Sequence, residues 1–172
     1  DAFFEVSTTD EAGVLEAATS FGADAIFTLA TDQPMRAVAF ASERLNLPGL
    51  TYDVAVRATD KFCQMEALKE KGVPIPWFLR VKESERLDPK EIPSFPCISK
   101  PVDSSGSRGV IYIDDPDELN QSIIYSASFG KNKEVILQEF MEGPEVSCEM
   151  LVIDGQPVML QVTDKITSGK PH

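Results

Sequence analysis

Apolar residues recur along this chain with two periods, one near 3.6 and one of 2, and the alternation divides it into elements. Phe3-Phe4-Glu5-Val6 is strand-like. Thr8-x-x-Glu11 is a capping-box pattern, Val14, Leu15, Ala18 and Phe21 follow at helical spacing, and Gly22 stands where a helix ends. Ala25-Ile26-Phe27-Thr28-Leu29 is a short apolar run, which predicts a buried parallel strand. Thr31-Asp32-Gln33-Pro34 opens a second helix to about Leu45, and Leu47-Pro48-Gly49-Leu50 is a short strand or turn. Residues 1–58 thus form a helix–strand–helix layer of open α/β type. Thr59-Asp60-Lys61 caps a third helix through Met65 and Leu68 to Gly72, where Pro74 and Pro76 forbid continuation.

Shorter units follow. Residues 77–81 predict a strand, 84–94 a charged surface loop or short helix, and 97–100 another strand. Asp115-Pro116-Asp117-Glu118 starts a helix that carries Leu119, Ile123, Ile124 and Ala127 and ends near Gly130. Residues 135–141 predict a strand. Residues 146–153 and 157–163 flank Asp154-Gly155, a two-residue hairpin signal. The tail 164–172 has one core-type residue, Ile166, and the reading expects the chain to begin inside a domain and stop in mid-loop.

Composition narrows the classes. A formal net charge of −12 argues against a general nucleic-acid binder, which needs a basic footprint. It leaves room for a nucleotide neutralised by a few local lysines and a divalent metal. No apolar run approaches membrane-spanning length, and no secretory leader pattern opens the chain. Cys63, Cys97 and Cys148 lie far apart without metal-ligand spacing, so reduced thiols in a cytoplasmic protein are expected. His172 is the only histidine, which leaves little material for a Ser-His-Asp triad or a histidine metal site.

One stretch concentrates chemistry. An apolar strand delivers Lys100, then Ser104, Ser105, Gly106, Ser107, Arg108 and Gly109 form a small-residue loop before Val110-Ile111-Tyr112-Ile113. Gly106 and Gly109 permit unusual backbone angles, small residues leave N–H groups and hydroxyls free for anion oxygens, and Lys100 adds a compact charge. This is a candidate triphosphate clamp. The alternative is a solvent hairpin with a surface lysine. About thirty residues on, Gln138-Glu139-Phe140-Met141-x-Gly143-x-Glu145 leaves one sheet for the next. Its backbone or the Gln138 side chain could meet the amino edge of adenine, and Glu145 could accept from ribose hydroxyls. The alternative is an amphipathic strand with solvated acids.

Taken together, Asp60-Lys61, Ile98-Ser99-Lys100-Pro101 with its loop, and the 137–145 stretch stand about forty residues apart, and this order resembles the ATP-grasp superfamily over residues 59–172. Carbamoyl-phosphate synthase large chains and amino-acid ligases are the members it is most similar to. The resemblance implies an α/β and α+β protein. Residues 1–58 are the end of a Rossmann-like domain that precedes the grasp, and 59–172 are an incomplete ATP-grasp fold. A small α+β lid spans about 75–137, and a larger antiparallel-sheet subdomain starts at about 138.

The same resemblance implies site roles. Lys61 and Lys100 match the lysines that contact nucleotide phosphates, and residues 104–109 match the loop that folds over the triphosphate, with Arg108 facing solvent. Gln138 matches the adenine-reading position, often glutamate in the family. Glu139, Phe140 and Met141 line the base, with backbone contacts from Glu139 and Met141, and Glu145 matches the ribose-binding glutamate. The cofactors implied are ATP and Mg2+, with the metal carboxylates expected beyond residue 172, because Glu149 and Asp164 are not at the matching positions. The partners implied are a small carboxylate, or bicarbonate, and an amine, with no nucleic acid, no membrane and a possible homo-oligomer. The activity implied is formation of an acyl phosphate that an amine attacks, by the complete protein rather than this stretch alone. A non-catalytic ATP-binding module is the alternative. A Rossmann dehydrogenase lacks its Gly-x-Gly-x-x-Gly here and a P-loop NTPase its Gly-Lys-Ser/Thr; in Ser168-Gly169-Lys170-Pro171 a proline follows the lysine.

Overall fold

Four helices come first. The computed structural model describes residues 1–29 and 31–166. Helix α1 (Glu11–Phe21) is capped by Asp10, whose carboxylate accepts from the Gly13 N–H at 3.2 Å, and not by the expected Thr8 box; Gly22, at φ 69°, closes it in the left-handed region. Helix α2 (Met35–Arg44) follows Pro34 and packs through small buried residues, Ala37, Ala39, Ala41 and Ser42. Helix α3 (Tyr52–Thr59) is not anticipated from the sequence; Thr51 caps it and an Arg57–Asp53 pair at 3.0 Å spans one of its turns. Helix α4 (Lys61–Glu70) begins at Asp60, as expected.

Two expected strands do not form. Residues 3–6 and 25–29 have no strand neighbour among the described residues, and a strand needs a partner for its N–H and C=O groups. Without a covering layer, Phe27 is 77% and Leu29 is 76% exposed.

The remaining strands and one helix fall where the pattern puts them. Strands β1 (Phe78–Lys82), β2 (Cys97–Pro101), β3 (Ile111–Ile113) and β4 (Glu134–Glu139) form one antiparallel sheet in the order β1-β4-β2-β3. Between β3 and β4, Asp115 and Pro116 lead through a short 3-10 turn into α5 (Leu119–Ala127), which ends three residues short of Gly130. Side chains alternate across the sheet. Cys97, Val135, Leu137, Val81 and Ile113 meet Leu119, Ile123 and Ala127 of α5 in the main core. Fully burying a Leu or Ile there contributes about 1.5–3 kcal/mol. Ile98 and Lys100 face the opposite way, Ile98 in register with Gln138 and Lys100 with Ile136. Helix α4 covers part of that second face, with the Phe62 and Phe78 rings 5.4 Å apart.

Strands β5 (Val146–Ile153) and β6 (Gln156–Asp164) form a separate two-stranded ribbon. Its turn is the expected one: Asp154 at φ 50° and Gly155 at φ 74° both take positive φ, as a type I′ hairpin requires. His172, Lys170 and the rest of residues 167–172 lie outside the described residues.

Candidate functional site

Lys61 owes its place to Asp60. The buried Asp60 carboxylate accepts the N–H groups of Phe62 and Cys63 at 3.0 Å each and faces Arg80 Nη2 at 3.8 Å. Lys61, first residue of α4, is then held twice: its N–H donates to the Val102 carbonyl at 3.0 Å, and its ammonium donates to the Ser104 carbonyl. Lys100 reaches the same region from the end of β2. Burial pushes the Lys100 ammonium below the usual lysine value, and the charge of Lys61 pushes it further. Burial lowers Lys61 as well, offset in part by Asp103 and Asp60.

The loop between β2 and β3 is a wound turn. Gly106, Ser107 and Gly109 sit at φ 68°, 54° and 75°. Gly109 is needed for space as well as for φ, since a Cβ there would lie 2.8 Å from the Phe129 ring. Asp103 Oδ2 accepts the N–H groups of Lys131 and Asn132 at 3.1 Å each, which ties the loop base to the segment after α5. Arg108 is exposed and donates from Nε to the Ser105 carbonyl at 3.3 Å. The Ser104 hydroxyl is buried and has no partner among the described residues.

These groups enclose a cleft of about 310 Å³, lined by Lys61, Ile98, Lys100, residues 104–108, Val110 and Phe140. Two lysines and a small-residue loop thus stand over an apolar floor, an arrangement suited to a polyanion with an apolar end. Of the residues anticipated for a base and sugar, Phe140 lines the cleft and packs edge-on to Tyr112 at 4.9 Å. Gln138 is on the same sheet face, its amide donating to Met65 Sδ at 3.5 Å. Glu139 is bonded twice to Trp77: its N–H donates to the Trp77 carbonyl at 3.1 Å, and its carboxylate accepts the Trp77 N–H at 3.4 Å. Met141 is exposed, and Glu145 accepts from Lys165 at 2.6 Å; neither lines the cleft, and nor do Gln138, Glu139 and Gly109. Trp77 packs against the core, as anticipated.

Ile98, Val110 and Gln33 join the site without being singled out in the sequence. The alternation around Lys100 was a signal for the two apolar residues. Gln33 Nε2 donates to Ser105 Oγ at 3.4 Å across 72 positions, for which a single sequence carries no signal. Among the described residues, no group of three or more His, Cys, Asp or Glu could hold a metal ion. No helix among them is long and apolar enough to cross a membrane.

Comparison with known proteins bears on this cleft. A family model described as ATP-grasp domain matches residues 58–170. A D-alanine–D-alanine ligase of Parabacteroides distasonis is 27% identical over 120 residues, 68% of this chain and 36% of that protein. An L-arginine-specific L-amino acid ligase of Bacillus subtilis is 25% identical over 140 residues, 77% of this chain and 33% of that protein. The crystal structure of an L-amino acid ligase from Bacillus licheniformis superposes with a TM-score of 0.73 at 26% identity, covering 96% of this chain and 39% of that one. The chain spans between 33% and 39% of the length of these relatives.

Proposed function

The chain belongs to the ATP-grasp domain family, and from that premise we propose that it forms the nucleotide-phosphate part of an ATP-dependent carboxylate–amine ligase. The observation that carries the reading is the convergence of Lys61 and Lys100 on one cleft beneath a small-residue loop. Residues 1–58 are the end of a preceding α/β domain, 59–172 the start of the grasp, with the lid at about 75–137. The β and γ phosphates lie against the two lysines and the 104–109 loop, with Ser105, Gly106 and Ser107 supplying backbone and hydroxyl donors. Adenine lies toward Phe140, with Gln138 reading its amino group, Glu139 and Met141 contributing backbone contacts and Glu145 accepting from the ribose. This last role requires Glu145 to exchange its Lys165 partner for the sugar.

In this reading, a carboxylate oxygen of the substrate attacks the γ-phosphorus, ADP leaves, and an amine then displaces phosphate from the acyl phosphate. Such chemistry needs positioning and charge neutralisation more than acid–base side chains, which suits a site of lysines, serines and glycines. The reported relatives that act on amino acids support an amino acid, rather than bicarbonate, as the carboxylate. The magnesium that the resemblance implies finds no donor cluster among the described residues, and no step of this reading depends on one within them. ADP release by the intact protein, assayed against a panel of amino acids, tests the activity. Nucleotide binding without ADP release from any of them would leave the binding-module alternative in its place.

A further inference from the structure

The loop between β2 and β3 is held at both ends and loosely between them. Asp103, at its start, is half-buried and Gly109, at its end, is buried, whereas Gly106, Ser107 and Arg108 are exposed. From Ser105 onward the bonds are long: Gln33 Nε2 to Ser105 Oγ at 3.4 Å, Arg108 Nε to the Ser105 carbonyl at 3.3 Å, and the Val110 N–H to the Ser107 carbonyl at 3.4 Å.

Both ends are held by one short segment, residues 129–132, between α5 and β4. Asp103 Oδ2 takes the Lys131 and Asn132 N–H groups, two charge-assisted bonds from successive residues. A Cβ on Gly130 would lie 2.7 Å from Asp103 Oδ1, so glycine lets the chain pass this close to the carboxylate. At the other end the Phe129 ring covers Gly109, 2.8 Å from where a Cβ would stand. The segment is itself fastened. Ser126 Oγ donates to the Ser99 carbonyl of β2 at 3.3 Å, Ser128 Oγ donates to the Tyr125 carbonyl at 2.6 Å, and the Tyr125 and Phe129 rings lie 5.1 Å apart. Neither Asp103 nor any residue of the segment lines the lysine cleft, so their action on a ligand there is indirect. Ordering a loose loop costs conformational entropy that binding must offset, and fixing its ends in advance lowers that cost.

We propose that Asp103 and Phe129 are positioning residues for the phosphate loop, two pins that hold it ready for a triphosphate. This deepens the ligase reading and rests on it for the nature of the ligand. Charge and position make opposite demands of Asp103. Its carboxylate stands near enough to Lys61 to offset part of the lowering that burial imposes on that ammonium, and an anion beside a phosphate site repels phosphates. Removing it strengthens polyanion binding if it acts by charge and weakens it if it acts by position.

The test reads two properties of the same variants. Trypsin cleavage after the exposed Arg108, without nucleotide, reports how firmly the loop is pinned, because the bond to Gly109 lies under Phe129 and must open to be cut. Cleavage after the exposed Arg86, outside the loop, is the reference for general loosening. Affinity for a non-hydrolysable ATP analogue against AMP reports what the pins are for, since AMP lacks the β and γ phosphates. Asp103→Ala and Phe129→Ala are expected to speed cleavage after Arg108 and not after Arg86. The analogue should weaken about tenfold in Asp103→Ala and several-fold in Phe129→Ala, with AMP little changed. Asp103→Asn, which keeps an oxygen for the two N–H groups, and Phe129→Leu, which keeps an apolar cover on Gly109, should restore most of both properties. Unchanged cleavage after Arg108 in both alanine variants, a tighter analogue in Asp103→Ala, or equal loss of analogue and AMP overturns the inference. A wild-type chain that binds the analogue no better than AMP removes the ligase reading instead, and faster cleavage after Arg108 alone would still uphold the two pins.

Discussion

Lys100 sits where its charge is uncomfortable, half-buried at the end of β2 with the Lys61 ammonium nearby. Both lysines have lowered pKa values in the folded chain, against the ordinary 10.5 of a lysine. Between the lowered values and 10.5 the unfolded chain holds protons that the folded chain has released. Stability of the unliganded protein therefore rises with pH across that window, and the full penalty applies below it. In the proposed phosphate site, nucleotide affinity has the opposite sign, because phosphates would pair with the ammonium forms. Affinity for an ATP analogue, measured from neutral pH upward, is expected to fall before 10.5 is approached; a fall confined to the region of 10.5 would mean that the lysines are not destabilised by burial.

Ser104 makes a second residue-scale prediction. Its hydroxyl is buried without a partner among the described residues, so Ser104→Ala should leave denaturant stability unchanged or raise it by about 1 kcal/mol. If the loop closes on phosphate as proposed, the same change should also weaken the analogue several-fold. Loss of stability without loss of affinity would make the hydroxyl a structural group. Lys100 and the small-residue loop were legible in the sequence because strand alternation and glycine placement are local. The bonds from Lys131 and Asn132 to Asp103, across 28 and 29 positions, were not, since only the packing of α5 back onto the sheet brings the two segments together.

At the scale of elements, the loop is built on two kinds of glycine. Gly106 has positive φ and open space, whereas Gly109 has positive φ and the Phe129 ring against it. Gly106→Ala should cost about 1–2 kcal/mol from the left-handed backbone alone, and Gly109→Ala clearly more. Equal costs in denaturant melts would mean that Phe129 gives way freely. The caps tell how far local sequence reaches. Asp60 and Asp115 were readable as starts, because each offers a carboxylate to N–H groups two or three residues on. The Thr51 cap of α3 carried the same kind of signal, but the helix it opens has only eight residues, about two turns of periodicity. Residues 25–29 failed for the opposite reason: their apolar pattern describes a strand, but a strand exists only where neighbours complete its ladder, and that is tertiary information.

Across the whole molecule, a chain of net charge −12 brings two half-buried cations to one cleft, so attraction of a polyphosphate there is local and only partly screened. The two sheets differ in support. The four-stranded sheet is backed by α5, while both faces of the β5–β6 ribbon expose apolar side chains, among them Val152 at 71% and Met159 at 61%. A two-stranded ribbon is marginal on its own. In the 172-residue chain, amides of β5 and β6 are therefore expected to exchange with solvent well before those of β2 and β4, and equal protection would show a support for the ribbon outside the described contacts.

The central claim, that the cleft between Lys61 and Lys100 holds the phosphates of an adenine nucleotide, is tested most directly by calorimetric titration. A non-hydrolysable ATP analogue and its GTP counterpart are compared in the chain and in Lys100→Ala. The proposed function predicts binding that favours the adenine nucleotide and an affinity about tenfold lower or more in the variant, the loss expected for one charge-assisted phosphate contact. Unchanged affinity in Lys100→Ala would contradict the assignment of the cleft.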